Sequence, residues 1–233
     1  MRERPILFIG DMVRAILEGR KTVTRRTVKS DWIQSERAPL ETSAGVFHFW
    51  CSGEFACPYG LPGDRLWVRE TWCDVNLYGA PGLAYRADGD IRDLMAEPCF
   101  LDADGAFDYS ADRVKAYGFA VWCDDLLSGA EGRWRPSIHM PRWASRILLE
   151  ITAVRVERLQ DITEEQAIAE GIDLDALADA QDRYDMVLAG SGADGRATPI
   201  TAFRDLWNST GGDWDANPWV WVIEFKRVEA SHA

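Results

Sequence analysis

The chain has 233 residues, of which 47% are hydrophobic and 27% charged, and its formal net charge is −12 at pH 7. These values predict a globular protein with a buried core and exclude a disordered tail, while the acidic charge argues against a protein that grips long nucleic acids by its surface. No apolar run reaches the roughly 18 residues of a membrane span, and residues 1–9 lack the pattern of a signal peptide. We therefore expect a cytoplasmic protein without a membrane partner.

The five cysteines, an odd number without an export signal, favour reduced thiols. A zinc site could be drawn from His48, Cys51, Cys57 and Cys73. Their spacing matches no paired C-x-x-C pattern, so buried structural cysteines are preferred and no metal is predicted.

The first third of the chain predicts a strand over residues 5–9 and then a helix that starts at residue 10 and ends at Gly19. Residues 21–26 follow at once, at a turn from helix to strand. A second turn over residues 61–64 precedes a strand over residues 65–69.

Residues 73–132 are rich in Asp, Gly and Ala, which predicts an insertion with weak internal order. A strand is predicted over residues 147–159, and Thr163 and Gln166 form a capping box for a helix that ends at Gly171. The later segments are predicted as a helix (174–188), a flexible loop (189–198), a short helix (203–207) and a final strand (219–228). Together they predict one α+β domain over residues 1–233, built around a small barrel or curled sheet.

Basic residues are concentrated in two islands on this acidic chain. Residues 14–29 hold six basic side chains and one acid, and residues 133–146 hold four arginines and no acid. The islands indicate a focused site for an anion or a nucleoside, although two solvated surface stretches explain them equally well.

The segment Gly19-Arg20-Lys21-Thr22-Val23-Thr24-Arg25-Arg26 resembles the G-x-K-x-x-T-x-R signature of the ASCH domain family, within the PUA-like superfamily. Three further stretches, 63–68, 159–171 and 222–225, resemble other family segments in the same order. The whole is similar to the larger ASCH proteins of bacterial prophages.

The resemblance implies a PUA-like small β-barrel with flanking helices and a cleft for a base or nucleoside. The activity we expect for this chain is hydrolysis of an acyl amide on a modified cytidine or related nucleoside, without a cofactor, because a compact bacterial member is an amidohydrolase that removes the acetyl group of N(4)-acetylcytidine. Its Lys, Thr and Glu correspond to Lys21, Thr24 and Glu170 of this chain. Other members are proposed to bind or to cleave RNA, so a non-catalytic reader of RNA or of a modified base and a ribonuclease remain as alternatives.

Amide hydrolysis needs a nucleophile, a base and a proton donor for the leaving group. The Thr24 hydroxyl can attack, and the Lys21 amine can take its proton if burial or nearby cations depress its pKa. Glu170 ends a helix, where the dipole disfavours a negative charge, so it could pass a proton to the leaving amine or accept a hydrogen bond from a cytosine amino group. Full extension of residues 21–26 would place Lys21 and Thr24 on opposite faces, so the site requires a turn there.

Side chains near these motifs are candidates for binding the substrate, either a phosphate or a base. They are Arg20, Arg26, Arg69, Glu70, Trp72, Arg142, Trp143, Ser145 and Arg146. Most of the 11 tryptophans must be core residues, and His48 and His139 are too isolated for a histidine mechanism. The expected partner is a modified nucleoside or RNA, and the sequence leaves protein partners open.

Overall fold

The computed structural model describes residues 1–28, 39–49, 53–179 and 198–229. The chain divides into two compact units: unit 1 comprises residues 1–4, 15–65 and 149–227, and unit 2 comprises residues 5–14, 66–148 and 228–233. Both strands and helices are present, which confirms the predicted α+β class. Within the described part of the chain, no helix has the length and apolarity needed to cross a bilayer.

The strands of the described residues are β1 Glu3–Leu7, β2 Val23–Thr27, β3 Leu40–Ser43, β4 Val46–Phe49, β5 Gly53–Ala56, β6 Arg65–Arg69, β7 Trp72–Leu77, β8 Ala80–Tyr85, β9 Ile91–Asp93, β10 Leu148–Arg158 and β11 Trp219–Val228. The helices are α1 Gly10–Leu17, α2 Cys123–Ser128, α3 Glu164–Ala169 and α4 Pro199–Ser209. Residues 174–179 are also helical, while the rest of the helix predicted over 174–188 and most of the loop predicted over 189–198 lie outside the described residues.

In unit 1, β10, β11 and β2 are adjacent in that order, and β2 stands at the end of the strand order. β11 pairs antiparallel with β2, with Ile223 opposite Thr24 and Trp221 opposite Arg26. One face of this pair is apolar because Val23, Val220 and Val222 pack against α3 and α4. The alternation of strand side chains therefore assigns Val23 and Arg25 to this face and Thr24 and Arg26 to the other.

The other face of β11 packs on aromatic residues of the β3-β4-β5 sheet. The Trp221 ring lies 5.5 Å from Phe47 and 5.4 Å from Phe55, measured between ring centroids. Both contacts are tilted or edge-on, as aromatic pairs prefer. Unit 1 thus buries apolar side chains on both faces of β11.

Helix α3 begins as its sequence predicts. The Thr163 side chain accepts a hydrogen bond from the Gln166 backbone N–H, and the Gln166 side chain accepts one from the Thr163 N–H. These two bonds satisfy backbone donors that a helix N-terminus leaves open. Beyond α3, Gly171 has φ +96°, a conformation that favours glycine.

Unit 2 has an apolar core of its own, so the prediction of weak internal order over 73–132 is wrong. β7, β8 and β9 form an antiparallel sheet in that order. The core is dominated by large side chains, which are Trp72, Leu83, Tyr85, Leu94, Phe100, Phe107, Val114, Phe119 and Met140. These residues are scattered among Asp and Gly without a regular period, because much of the unit consists of turns and short helices. The amino-acid composition of the segment therefore did not indicate a core.

The described strands form open sheets and do not close into a barrel. The PUA-like small β-barrel therefore stays a prediction, as does the assignment of 73–132 as an insertion in one domain. The strands predicted over 65–69, 147–159 and 219–228 are confirmed as β6, β10 and β11 within one or two residues.

Candidate functional site

Lys21 and Glu170, which are 149 positions apart in the sequence, form a buried ion pair in unit 1. Lys21 Nζ donates to Glu170 Oε2 at 2.7 Å, to the Glu170 carbonyl oxygen at 2.7 Å and to the Val23 carbonyl oxygen at 2.8 Å. Each residue is only 2% exposed. Two of the three predicted catalytic residues are therefore in direct contact.

Backbone contacts hold Lys21 against the end of α3. The Lys21 N–H donates to the Ala15 carbonyl oxygen and the Thr22 N–H to the Ala169 carbonyl oxygen, both at 2.9 Å. A Cβ atom on Gly171 would lie 2.8 Å from Ala15 Cβ and 3.1 Å from Lys21 Cβ. Gly171 is thus required both by its positive φ and by the close approach of Lys21.

Arg25 is a second cation on Glu170, and it was not predicted as a site residue. Its Nη1 donates to Glu170 Oε1 at 3.2 Å, and its Nη2 donates to Gln166 Oε1 at 2.8 Å and to Glu157 Oε2 at 3.4 Å. Each carboxylate oxygen of Glu170 therefore faces its own cation, which fixes the orientation of the carboxylate. The signal available in the sequence was the alternation of β2, which puts Arg25 on the same face as the apolar Val23.

Burial lowers the pKa of Lys21 below its ordinary value of 10.5, because a charged ammonium is costly away from water. Glu170 opposes this change, and the positive charges of Arg26 and Arg25 reinforce it. The three acceptors around Nζ suit an ammonium ion in the resting site. The lowered pKa means that this ammonium gives up a proton more readily than an ordinary lysine does.

Thr24 is also buried, with 2% exposure, but it lies on the face of β2 opposite to Arg25. The three hydrogen bonds of Lys21 Nζ described above and the two ion pairs of Glu170 do not involve its hydroxyl. Lys21 precedes β2 and reaches the Val23 carbonyl oxygen at the end strand of the sheet. The ammonium therefore lies at the edge of β2, with Glu170 on one side of the strand and the Thr24 side chain on the other.

Arg20 and Arg26 are the two predicted substrate-binding residues that belong to unit 1. Arg20 Nη1 donates to the Gly171 carbonyl oxygen at 3.0 Å, and the same guanidinium pairs with Glu18 and, at 3.7 Å, with Asp173. Arg26 is half-buried. Burial lowers the pKa of its guanidinium, and nearby Tyr59 and Glu170 partly offset that effect.

The other seven predicted substrate-binding residues belong to unit 2, where Glu70, Ser145 and Arg146 make buried polar contacts. Arg146 forms a two-pronged ion pair with Glu70, with both N–O distances at 2.9 Å. Ser145 is 1% exposed and donates to the Val68 carbonyl oxygen at 2.8 Å. These contacts already occupy the polar groups that were expected to meet a substrate.

The remaining four lie in or beside the core of unit 2. Trp72 is fully buried and packs edge-on against Trp143, with ring centroids 6.0 Å apart, so a base could stack on it only if this core opened. Arg69 Nε donates to the Met140 carbonyl oxygen at 3.1 Å, and Arg142 is half-buried.

Acidic side chains that lie close in space neutralise part of the positive charge of the two basic islands. Arg135 pairs with Asp74 at 2.6 Å, just as Arg146 pairs with Glu70 and Arg25 with Glu170. Counting charges along the chain could not show these acids, because they lie far away in the sequence. The interpretation of the islands as a focused site for an anion is weakened accordingly.

Of the cysteines considered for zinc, Cys57 and Cys73 are free and buried, and burial raises the pKa of each thiol to about 11. Cys51 lies outside the described residues. Within the described ranges no group of three His, Cys, Asp or Glu side chains could hold a metal ion.

Comparisons of the chain with protein-family models, with curated proteins and with solved structures find no match.

Proposed function

We propose that this protein is an ASCH-type, PUA-like amidohydrolase that removes an acyl group from the exocyclic amine of a modified cytidine or a related nucleoside. The observation that carries the proposal is the buried Lys21–Glu170 pair, in which burial lowers the pKa of the lysine. A buried lysine with a lowered pKa beside a carboxylate is a typical device for moving protons near neutral pH.

The reaction starts when the Lys21 ammonium passes a proton to Glu170, which gives a neutral amine and a carboxylic acid. The 2.7 Å hydrogen bond between them is the path for this proton. Burial lowers the cost of this transfer relative to that in water, because charges are poorly solvated in a buried site.

Thr24 is the nucleophile in the next step. Its hydroxyl oxygen forms a bond with the acyl carbon while the Lys21 amine takes the hydroxyl proton. The carbon–nitrogen bond then breaks, and Lys21, which carries the proton taken from Thr24, gives that proton to the departing cytidine amine. Water hydrolyses the resulting ester on Thr24, which releases the carboxylic acid and restores the threonine. Lys21 and Glu170 return to their starting ion pair.

The positions of the carboxylate and of its partners support these roles. Arg25 and Lys21 each hold one oxygen of Glu170, so the carboxyl group is oriented before a substrate binds. Acting alone, the same carboxylate could accept a hydrogen bond from a cytosine amino group, as a non-catalytic reader would use it. Turnover of an acylated nucleoside distinguishes the hydrolase from the non-catalytic reader.

The test is deacetylation of N(4)-acetylcytidine, followed by chromatography of the released cytidine, for wild type, Lys21→Met, Glu170→Gln and Thr24→Val. Lys115→Met, which changes a lysine on the surface of unit 2, is the matched control. We expect turnover by wild type and by the control, and a loss of about 10²- to 10⁴-fold in the three site variants.

Absence of turnover by folded wild-type protein would refute the hydrolase proposal for this substrate. Turnover that survives in Thr24→Val but not in Lys21→Met or Glu170→Gln would mean that water, not Thr24, attacks the acyl carbon. Circular dichroism of each variant verifies that the fold is retained.

A further inference from the structure

Unit 1 contains a half-open cavity of about 540 Å³, and three of its seven lining residues are aromatic. It is lined by Thr27, Val28, Phe55, Ala56, Pro58, Tyr59 and Trp221. Its volume falls in the range of about 300 to 1,000 Å³ that is typical of sites for small molecules. None of these residues was singled out in the sequence.

The walls of this cavity are supported from behind. Phe55 and Trp221 are in tilted contact, with ring centroids 5.4 Å apart, and Phe47 packs edge-on against Trp221 at 5.5 Å. Phe47 is only 4% exposed. The rings are therefore held in place before any ligand enters, which reduces the entropy lost on binding.

The register of β11 and β2 relates this cavity to Thr24. Trp221 lies directly opposite Arg26, and Ile223 lies directly opposite Thr24. Cross-strand partners share a face of the sheet, so Trp221, Arg26 and Thr24 all point to the same side. Thr24 and Arg26 are two residues apart, or about 7 Å along the strand, which is within the length of one nucleoside.

The chemistry of the cavity favours a flat, neutral ring with polar edges. Aromatic side chains stack on the π-face of any nucleobase, and this stacking needs no particular base sequence. Tyr59 adds a hydroxyl group at the wall, and the guanidinium of Arg26 lies close enough to Tyr59 for the two to interact electrostatically. A sugar alone would leave the aromatic walls without a partner.

We infer that this cavity binds the pyrimidine ring of the nucleoside and places its exocyclic amine toward Thr24. The identity of the ligand rests on the proposed function, whereas the location of the ring is a separate claim about the half-buried Phe55 and Tyr59, with the buried Trp221 packed behind Phe55. Contacts to the ring persist through the reaction, so they contribute equally to the binding of substrate and of transition state.

Binding and catalysis are measured separately to test this inference. Calorimetry and saturation-transfer NMR with cytidine, and with ribose as the probe that lacks a ring, report binding to wild type, Tyr59→Ala and Phe55→Leu. Phe55→Leu keeps the apolar bulk and removes the π-face. Tyr109→Ala is the matched control, since Tyr109 is an exposed tyrosine of unit 2.

We expect cytidine, but not ribose, to bind wild type, with the strongest saturation transfer to the ring protons. Tyr59→Ala and Phe55→Leu should weaken cytidine binding about tenfold and raise KM by the same factor while kcat is unchanged. Tyr109→Ala should match wild type.

The two proposals fail in different ways. Turnover with a KM that neither Tyr59→Ala nor Phe55→Leu changes would overturn the ring site and leave the hydrolase intact. Cytidine binding that depends on both residues, without any turnover of the acetylated nucleoside, would overturn the hydrolase and leave the ring site intact. Failure of cytidine to bind wild type would overturn the ring site.

Discussion

Each unit buries a carboxylate against a cation, but the two pairs differ in the chemistry of the cation. In unit 1 Glu170 faces Lys21, whose pKa is lowered by burial. In unit 2 Glu70 faces Arg146, and the pKa of that guanidinium is raised because hydrogen bonds with Glu70 and Asp88 outweigh the effect of burial.

This difference separates a pair suited to proton transfer from a pair suited to structure. An arginine side chain stays charged in proteins, whereas a buried lysine can become neutral. Arg146 is also bound to Asp88 and Asp90, and its guanidinium lies 4.1 Å from the centroid of the Tyr85 ring. With these partners Arg146 stabilises the structure around it. Because it stays protonated, it is unsuited to proton transfer.

The largest effect is expected from breaking the pair of unit 2. Arg146→Met leaves the Glu70 carboxylate buried without its main partner, and we expect the free energy of unfolding to fall by about 3–5 kcal/mol. Urea denaturation measures this loss. Below the unfolding transition, kcat for the proposed hydrolysis should stay at the wild-type value. A fall in kcat at full folding would show that the pair of unit 2 contributes to the reaction.

A smaller effect is expected from adding a Cβ atom at residue 171, which would crowd the Lys21 side chain. Gly171 and Gly211 both have positive φ, +96° and +87°, but only at Gly171 would an added Cβ meet neighbours within 4 Å. We expect Gly211→Ala to cost about 1 kcal/mol and Gly171→Ala about 2 kcal/mol, since only the second also displaces Lys21. Thermal denaturation of the two variants measures the difference. Equal losses of stability in the two variants would show that the Lys21 side chain moves aside without strain.

The smallest effect is a dependence of stability on pH that only the lysine pair should show. The pKa of Lys21 is lower in the folded chain than its ordinary value of 10.5, so between the two values the unfolded chain binds more protons. The stability of wild type relative to Lys21→Met should therefore rise with pH in that window, by up to about 1.4 kcal/mol per pH unit. This contribution is lost as the pH falls through the folded pKa.

Urea unfolding from neutral pH to about pH 10 measures this slope. The difference in free energy of unfolding between wild type and Arg146→Met should not change with pH over that range, because the guanidinium does not titrate there. A flat difference for Lys21→Met as well would mean that Lys21 keeps an ordinary pKa and is a poor proton carrier.

Local signals in the sequence predicted the elements around the site. The capping box of Thr163 and Gln166, the C-terminal glycines of α1 and α3, and the strand after residue 146 depend on neighbours within a few positions, and the structure has them all. Such features follow from backbone geometry and need no knowledge of the tertiary fold.

Long-range contacts were harder to predict. A shared site for Lys21 and Glu170 was expected only from a family resemblance, because no local pattern joins residues 149 positions apart, and their ion pair was not predicted. Arg25 was overlooked because its partner Glu170 is equally distant. The aromatic cavity was overlooked because a Trp or Phe on a strand looks the same in the sequence whether it fills a core or lines a cavity.

Gln166 connects the start of α3 to the site by a single atom. Its Oε1 accepts a hydrogen bond from the Thr163 N–H at 3.1 Å and another from Arg25 Nη2 at 2.8 Å. Fraying of the first turn of α3 therefore removes one hydrogen bond from Arg25, which keeps its contacts with Glu157 and Glu170. The support that Arg25 receives from α3 is thus linked to the opening and closing of a six-residue helix whose cap is open to solvent.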